Sequence, residues 1–129
     1  MKYTSVSRKM NIPHLVVWKL LTTYDLWPLW GPSIVDVDVR GERLIKGHKG
    51  KVKTFFRIWV PFEITAVVEN YSWSWNVGPI RATEHLVQEE DDGSSNVKFL
   101  IPVWAFPYYI ICWLALRRIE KLGLCMVNP

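Results

Sequence analysis

FLIPVWAFPYYIICWLAL, residues 99–116, runs eighteen positions without a charge. About 18–20 apolar residues cross a bilayer core, so a membrane span is the first reading to weigh. Two prolines, Pro102 and Pro107, divide the run, and proline inside a helix removes a hydrogen bond and clashes with the preceding turn. Before Pro102, Val97, Phe99 and Ile101 alternate onto one face, as in a strand. After Pro107 the period lengthens. Tyr108, Ile111, Cys112, Ala115, Leu116, Ile119 and Leu122 follow the i, i+3, i+4, i+7 spacing of one helix face. Pro107 suits the first helical position and Gly123 the residue just past the end. Arg117, Arg118 and Lys121 then fall in the last turns, where the helix dipole favours cations. The stretch predicts a buried last strand, a short turn and a C-terminal helix of about four turns. Ile110, Trp113 and Leu114 lie outside the main stripe, so this helix needs cover on more than one side. A curved sheet would supply it.

The remaining sequence can build that sheet. Tyr3 to Met10 alternates weakly, as an edge strand does. Asn11, Ile12 and Pro13 open a short helix carrying Leu15, Trp18 and Thr22 on one side, with Val17, Leu21 and Tyr24 beside them. A second helical turn, Leu26 to Leu29, follows Asp25 and ends at Gly31-Pro32. From there the pattern is strands only: 34–40, 51–60, 62–69, 71–77, 80–88 and 96–101. Each shows the wet-face, dry-face alternation of half-buried antiparallel strands. Phe56 and Ile58 belong to the second of these, Phe62, Ile64, Ala66 and Val68 to the third, and Tyr71, Trp73 and Trp75 to the fourth.

At 129 residues the chain suits a single domain spanning 1–129. Half of it is hydrophobic and eight residues are tryptophan, more large rings than a small core needs. The first twenty residues lack the apolar block and cleavage site of a signal peptide, so a cytoplasmic location is expected. The net charge of +4 is unevenly spread. Arg40, Arg43, Lys46, Lys49, Lys51, Lys53 and Arg57 share one stretch with a single acid, Glu42, giving it +6 and the rest −2. Either this is a solvated hairpin, or it contacts an anionic membrane, RNA or an acidic partner.

The order strand, two short helices, six strands, long helix resembles the START-like superfamily, also known as SRPBCC or polyketide-cyclase-like. The resemblance rests on PHLVVWKLLTTYDLWPLWGPSI, GHKGKV, VPFEIT, YSWSWNV and DDGSSNVKF, above all on the W-x-x-L…Y-D-x-W-P-x-W-G-P block. It implies an α+β helix-grip fold: a curved antiparallel sheet of about seven strands wrapped around the C-terminal helix, with two short helices between strands 1 and 2. It also implies a mostly apolar cavity between sheet and helix, holding a lipid, isoprenoid, quinone or polyketide-like molecule.

Candidate lining residues are Trp30, Phe56, Trp73 and Trp75, with Tyr108, Ile111, Cys112 and Ala115 from the helix. A few polar groups in such a pocket orient the ligand. In residues 80–88 one face carries Arg81, Thr83, His85 and Val87, the other Ile80, Ala82, Glu84 and Leu86, so either register puts an ionisable group inside. The family's usual pattern here favours His85. An alternative function is a metal-free polyketide cyclase or dehydratase, with His85 as acid/base and Arg81 or Tyr108 steadying negative charge. His14 and His48 are far apart and no H-x-x-H or C-x-x-C occurs, so neither metal nor another cofactor is expected. Cys112, on an apolar face with no visible base, has the profile of an inert buried thiol; Cys125 lies in the tail. No G-x-S-x-G or phosphate-cradling loop is present.

Overall fold

The computed structural model describes residues 3–105 and 107–128. β1 (Tyr3–Met10) leads into α1 (His14–Thr22), a 3₁₀ turn (Tyr24–Leu26) and α2 (Trp27–Trp30). Six strands follow: β2 (Ile34–Val39), β3 (Lys49–Thr54), β4 (Trp59–Val68), β5 (Ser72–Val77), β6 (Ile80–Glu89) and β7 (Ser95–Pro102). A short 3₁₀ turn (Val103–Ala105) precedes the long helix α3 (Tyr108–Val127). The strands form one antiparallel sheet in the order β1-β7-β6-β5-β4-β3-β2. α3 packs on β1, β7, α1 and α2. This is the helix-grip arrangement expected, with β1 at an edge and both short helices between strands 1 and 2. No described helix is long and apolar enough to cross a membrane.

β7 carries the reading that decides the fold. Val97, Phe99 and Ile101 are all buried, as their alternation predicts. Opposite them on α3 lie the buried Cys112, Ala115, Leu116 and Ile119. The helix does not stop where glycine suggested. It continues through Gly123 to Val127, so Arg117, Arg118 and Lys121 sit mid-helix rather than in its last turn. Gly123 answers a packing need instead: a Cβ there would come within 2.6 Å of Ile12 Cδ1. Ile110 and Trp113 are exposed, so the cover expected on that side of α3 is missing. Leu15 also faces solvent, while α1 buries Val17, Trp18, Leu20, Leu21 and Thr22.

Residues 51–60 do not form one strand. β3 ends at Thr54, and a tight turn carries the chain into β4 at Trp59. Thr54 N–H donates to Ile58 O and Arg57 N–H to Thr54 O, with Arg57 at φ 64°. Phe56 is therefore an exposed turn residue, not a sheet residue facing the helix. β4 runs from Trp59 through Pro61, so residues 59–61 belong to it and not to the preceding strand. Gly78 N–H donates to Pro61 O, so the backbone of Pro61 faces the β5–β6 turn and its missing N–H takes no bond from the β3 ladder. A register shift between Ile64 and Ala66 also turns the alternation over. Phe62 and Ile64 are buried, and beyond the shift it is Val67, not Ala66 or Val68, that meets the core.

Candidate functional site

β6 brings polar chemistry into the interior. Alternation places Thr83, His85 and Val87 on its inner face, all buried. A register shift between Ser74 and Asn76 of β5 turns the alternation over, so Arg81 stands opposite Asn76 on the outer face, exposed beside the open end, and not on the face of His85 as its spacing suggested. His85 is only 3 % exposed. Its Nδ1 lies 3.3 Å from Trp73 O, and its Nε2 3.0 Å from Thr83 Oγ1. A carbonyl only accepts, so Nδ1 carries the proton and Nε2 is bare. The Thr83 hydroxyl then donates to Nε2 and accepts from Trp75 Nε1–H at 3.1 Å. The chain from Trp75 through Thr83 and His85 to the Trp73 carbonyl is saturated only when the imidazole is neutral. Burial agrees: it pushes the His85 pKa down to about 3, and the hydrogen bond to Trp73 only partly opposes it.

Aromatic rings close around this imidazole. Trp73 stacks on it at 3.9 Å between centroids, and Phe99 meets it edge-on at 4.7 Å. Trp27 stacks on Trp73 at 5.3 Å and meets Trp75 edge-on at 5.2 Å. The indole N–H groups of Trp27 and Trp30 donate to Leu21 O and Leu20 O, which locks both rings. Trp27 was not among the expected lining residues. Its three-residue spacing from Trp30, which puts both rings on one helix face, was the available signal.

Trp30, Trp73, Trp75, His85, Tyr108, Ile111, Cys112 and Ala115 surround one hollow; Phe56 does not reach it. That hollow holds only about 20 Å³, room for about one water molecule. Burial pushes the Cys112 thiol up to about 12, so it stays protonated and unreactive.

The larger space lies next to it, at the open end of the grip. A cleft of about 360 Å³ runs between the β3–β4 turn, the facing ends of β5 and β6, and the segment linking β7 to α3. Ile34, Val52, Val77 and Ile101 line its walls, while Phe55, Phe56 and Trp104 stand at its rim. Trp75, Thr83 and Tyr108 border both spaces. Its polar groups are few: Arg81 at its edge, the Thr83 hydroxyl already engaged by Trp75 and His85, the Ser33 and Tyr108 hydroxyls bonded at 2.7 Å, and Thr54, whose buried hydroxyl has no partner. Phe56 and Arg81 thus belong with this cleft rather than with His85. Among the described residues no group of three or more His, Cys, Asp or Glu could hold a metal ion.

The basic stretch sits on β3 and the loops flanking it. Lys51 and Lys53 lie directly opposite Asp38 and Asp36 of β2, and Lys49 opposite Glu63 of β4. Arg43 donates to Thr22 Oγ1 at 3.1 Å, and Lys53 lies 5.9 Å over the Trp59 ring. Acids on neighbouring strands offset much of the +6 read along the chain.

A family model described as "Polyketide cyclase / dehydrase and lipid transport" matches residues 1–114. No curated protein sequence matches. Among solved structures, protein NE0264 from Nitrosomonas europaea is similar at a TM-score of 0.74 and 15% identity, over 98% of this chain and 97% of that one. XoxI from Bacillus cereus is similar at 0.75 and 14%, over 96% of each chain. Protein jhp0584 from Helicobacter pylori is similar at 0.75 and 11%, over 95% and 88%. At such identities these structures speak for the fold alone.

Proposed function

The chain belongs to the polyketide cyclase/dehydrase and lipid-transport family, and from that premise we propose that it binds a small hydrophobic molecule in the cleft at the open end of the grip. The carrying observation is the cleft of about 360 Å³ with apolar walls and a handful of polar groups. Both its size and its chemistry fall within the range of small-molecule sites. Lipid, isoprenoid, quinone and polyketide-like compounds share the required chemistry, an apolar body with an oxygen for Arg81, Thr54 or Tyr108 to meet. Two free cysteines suit a reducing, cytoplasmic setting.

The cyclase reading is less well supported. It needs His85 to exchange a proton with substrate, yet both ring nitrogens are engaged and the ring is enclosed by Trp73, Trp30 and Phe99.

The test is titration with an apolar naphthylamine dye, read by quenching of tryptophan emission, since Trp75 and Trp104 both line the cleft. Submillimolar binding is expected. Val77→Trp, which places an indole in the cleft, should weaken it about tenfold or more, a loss of about 1.4 kcal/mol. Equal binding by a folded Val77→Trp protein would sink the proposal. Mass spectrometry of the undenatured protein purified from cells would identify the natural ligand.

A further inference from the structure

Ile110, Trp113, Leu114, Arg117 and Lys121 share the side of α3 that faces away from the sheet. Ile110 is 64% exposed and Trp113 41%. Such large apolar groups are rarely left together in water without a reason. The second half of this face is cationic, with Arg117, Arg118 and Lys121 within five residues. The only acid on α3, Glu120, is occupied by Arg8 at 2.9 Å. The lysines of β3 have acids directly opposite them on the neighbouring strands; Arg117, Arg118 and Lys121 have no such partner strand, and no described acid lies within ion-pairing distance of them. Arg117 lies 5.0 Å over the Trp113 ring, joining the apolar and charged halves.

We infer that the outer face of α3 docks on an anionic lipid bilayer, with Ile110, Trp113 and Leu114 entering the headgroup boundary and Arg117, Arg118 and Lys121 meeting lipid phosphates. The division of the face favours this occupant. An interfacial helix presents apolar and aromatic groups beside Lys and Arg, whose long stems let the charge reach the headgroups. A nucleic-acid backbone would use the cations but leave Ile110 and Leu114 unmatched. A second copy of this face would cover Arg117, Arg118 and Lys121 without supplying an acid to any of them, since the face carries none. The inference gives a role to Trp104 as well. It is 60% exposed, lines the cleft mouth and lies just upstream of α3, so docking would bring the mouth near the lipid. In this it builds on the proposed ligand site.

The experiment is co-sedimentation with phosphatidylcholine vesicles, pure or containing about one third phosphatidylserine. Binding is expected to the mixed vesicles only, and to weaken as salt rises. Arg117→Gln, Arg118→Gln and Lys121→Gln combined should weaken it about tenfold or more, as should Trp113→Ser with Ile110→Ser. All five side chains lie on an open helix face, and dye binding in the cleft, measured without vesicles, should stay unchanged in both variants. That separate readout distinguishes failure of the docking surface from failure of the ligand site. Equal affinity for both vesicle types, indifference to either set of substitutions, salt-dependent RNA binding without vesicle binding, or a dimer that Trp113→Ser dissociates would each overturn the inference.

Discussion

His85 makes the stability of this protein sensitive to acid in a calculable way. In the unfolded chain its imidazole titrates near 6.5; in the folded protein the pKa is about 3. Above pH 6.5 both states are neutral at this position and nothing changes. Below it the unfolded chain takes up a proton that the native state refuses, so stability falls as the pH falls. The limiting slope for one proton is about 1.4 kcal/mol per pH unit. From 6.5 down to about 3 is about 3.5 units, so the full loss is about 5 kcal/mol. Small domains hold about 5–15 kcal/mol in all, and on that scale the loss by pH 4, about 3 kcal/mol, is large.

Urea denaturation followed by tryptophan emission, repeated at intervals from pH 7.5 to pH 4, would measure it. The other described group with a strong acid-side shift is Asp92, held below the usual carboxylate range by the Ser94 hydroxyl and N–H and by Lys9. Its stabilisation is present above its unfolded value of 3.8 and is lost only as pH falls below that, outside the window that tests His85. His85→Gln cannot take up the proton and should lose the slope between pH 6.5 and 4, whatever its own stability. A flat profile in the native protein, or a folded-state imidazole titrating near 6.5 by NMR, would refute the neutral, hydrogen-bonded histidine. It would also reopen a role in proton transfer.

Two further outcomes test the packing. Ala115→Trp pushes an indole into a hollow of about 20 Å³; it should cost about 1–3 kcal/mol or more as overpacking while leaving dye binding in place. Loss of dye binding with unchanged stability would instead show that ligand reaches the helix at that point. Gly123→Ala places a methyl 2.6 Å from Ile12 Cδ1, and should destabilise by about 1–3 kcal/mol despite alanine's better helix propensity. Adding Ile12→Val removes that δ-methyl and should recover part of the loss in urea denaturation. A simple sum of the two single effects would show that the contact is not shared.

Much of the fold was legible because its signals are periodic. The alternation of Val97, Phe99 and Ile101 and the helical spacing of Cys112, Ala115, Leu116 and Ile119 each mark a face that must be buried. Turn chemistry was legible only where the residues announce it. Gly78, with φ 60°, closes the β5–β6 hairpin as its Gly-Pro pair suggests. The β3–β4 turn puts Arg57 in the left-handed region, where glycine or asparagine is usual. Nothing in TFFRIW marks a turn, so Phe56 read as a strand residue. Gly123 failed in the opposite sense. A glycine after an apolar stripe resembles a helix end, and only the nearness of Ile12 reveals that it is an interior contact.

The candidate site was legible in composition but not in volume, because no count of rings says whether they enclose space or fill it. Trp27 fills it. Held by its bond to Leu21 O, it packs against Trp73, Trp75, Tyr24 and Phe62, in the region between the short helices and the sheet. What remains beside His85 takes a single water, and the usable space shifts to the mouth, where no tryptophan from α2 lines the walls. A cleft of about 360 Å³ is near the lower end of ligand-site sizes. On the proposed reading, then, the cleft should take a ring compound or one short chain, and a two-chain lipid would leave most of its length outside. A dye series of increasing chain length makes this measurable. Affinity should rise by about 0.8 kcal/mol for each buried methylene and then level off once the cleft is full. A rise that continues through long chains would mean that the aromatic interior opens to admit them, and that Trp27 is a gate rather than a filling.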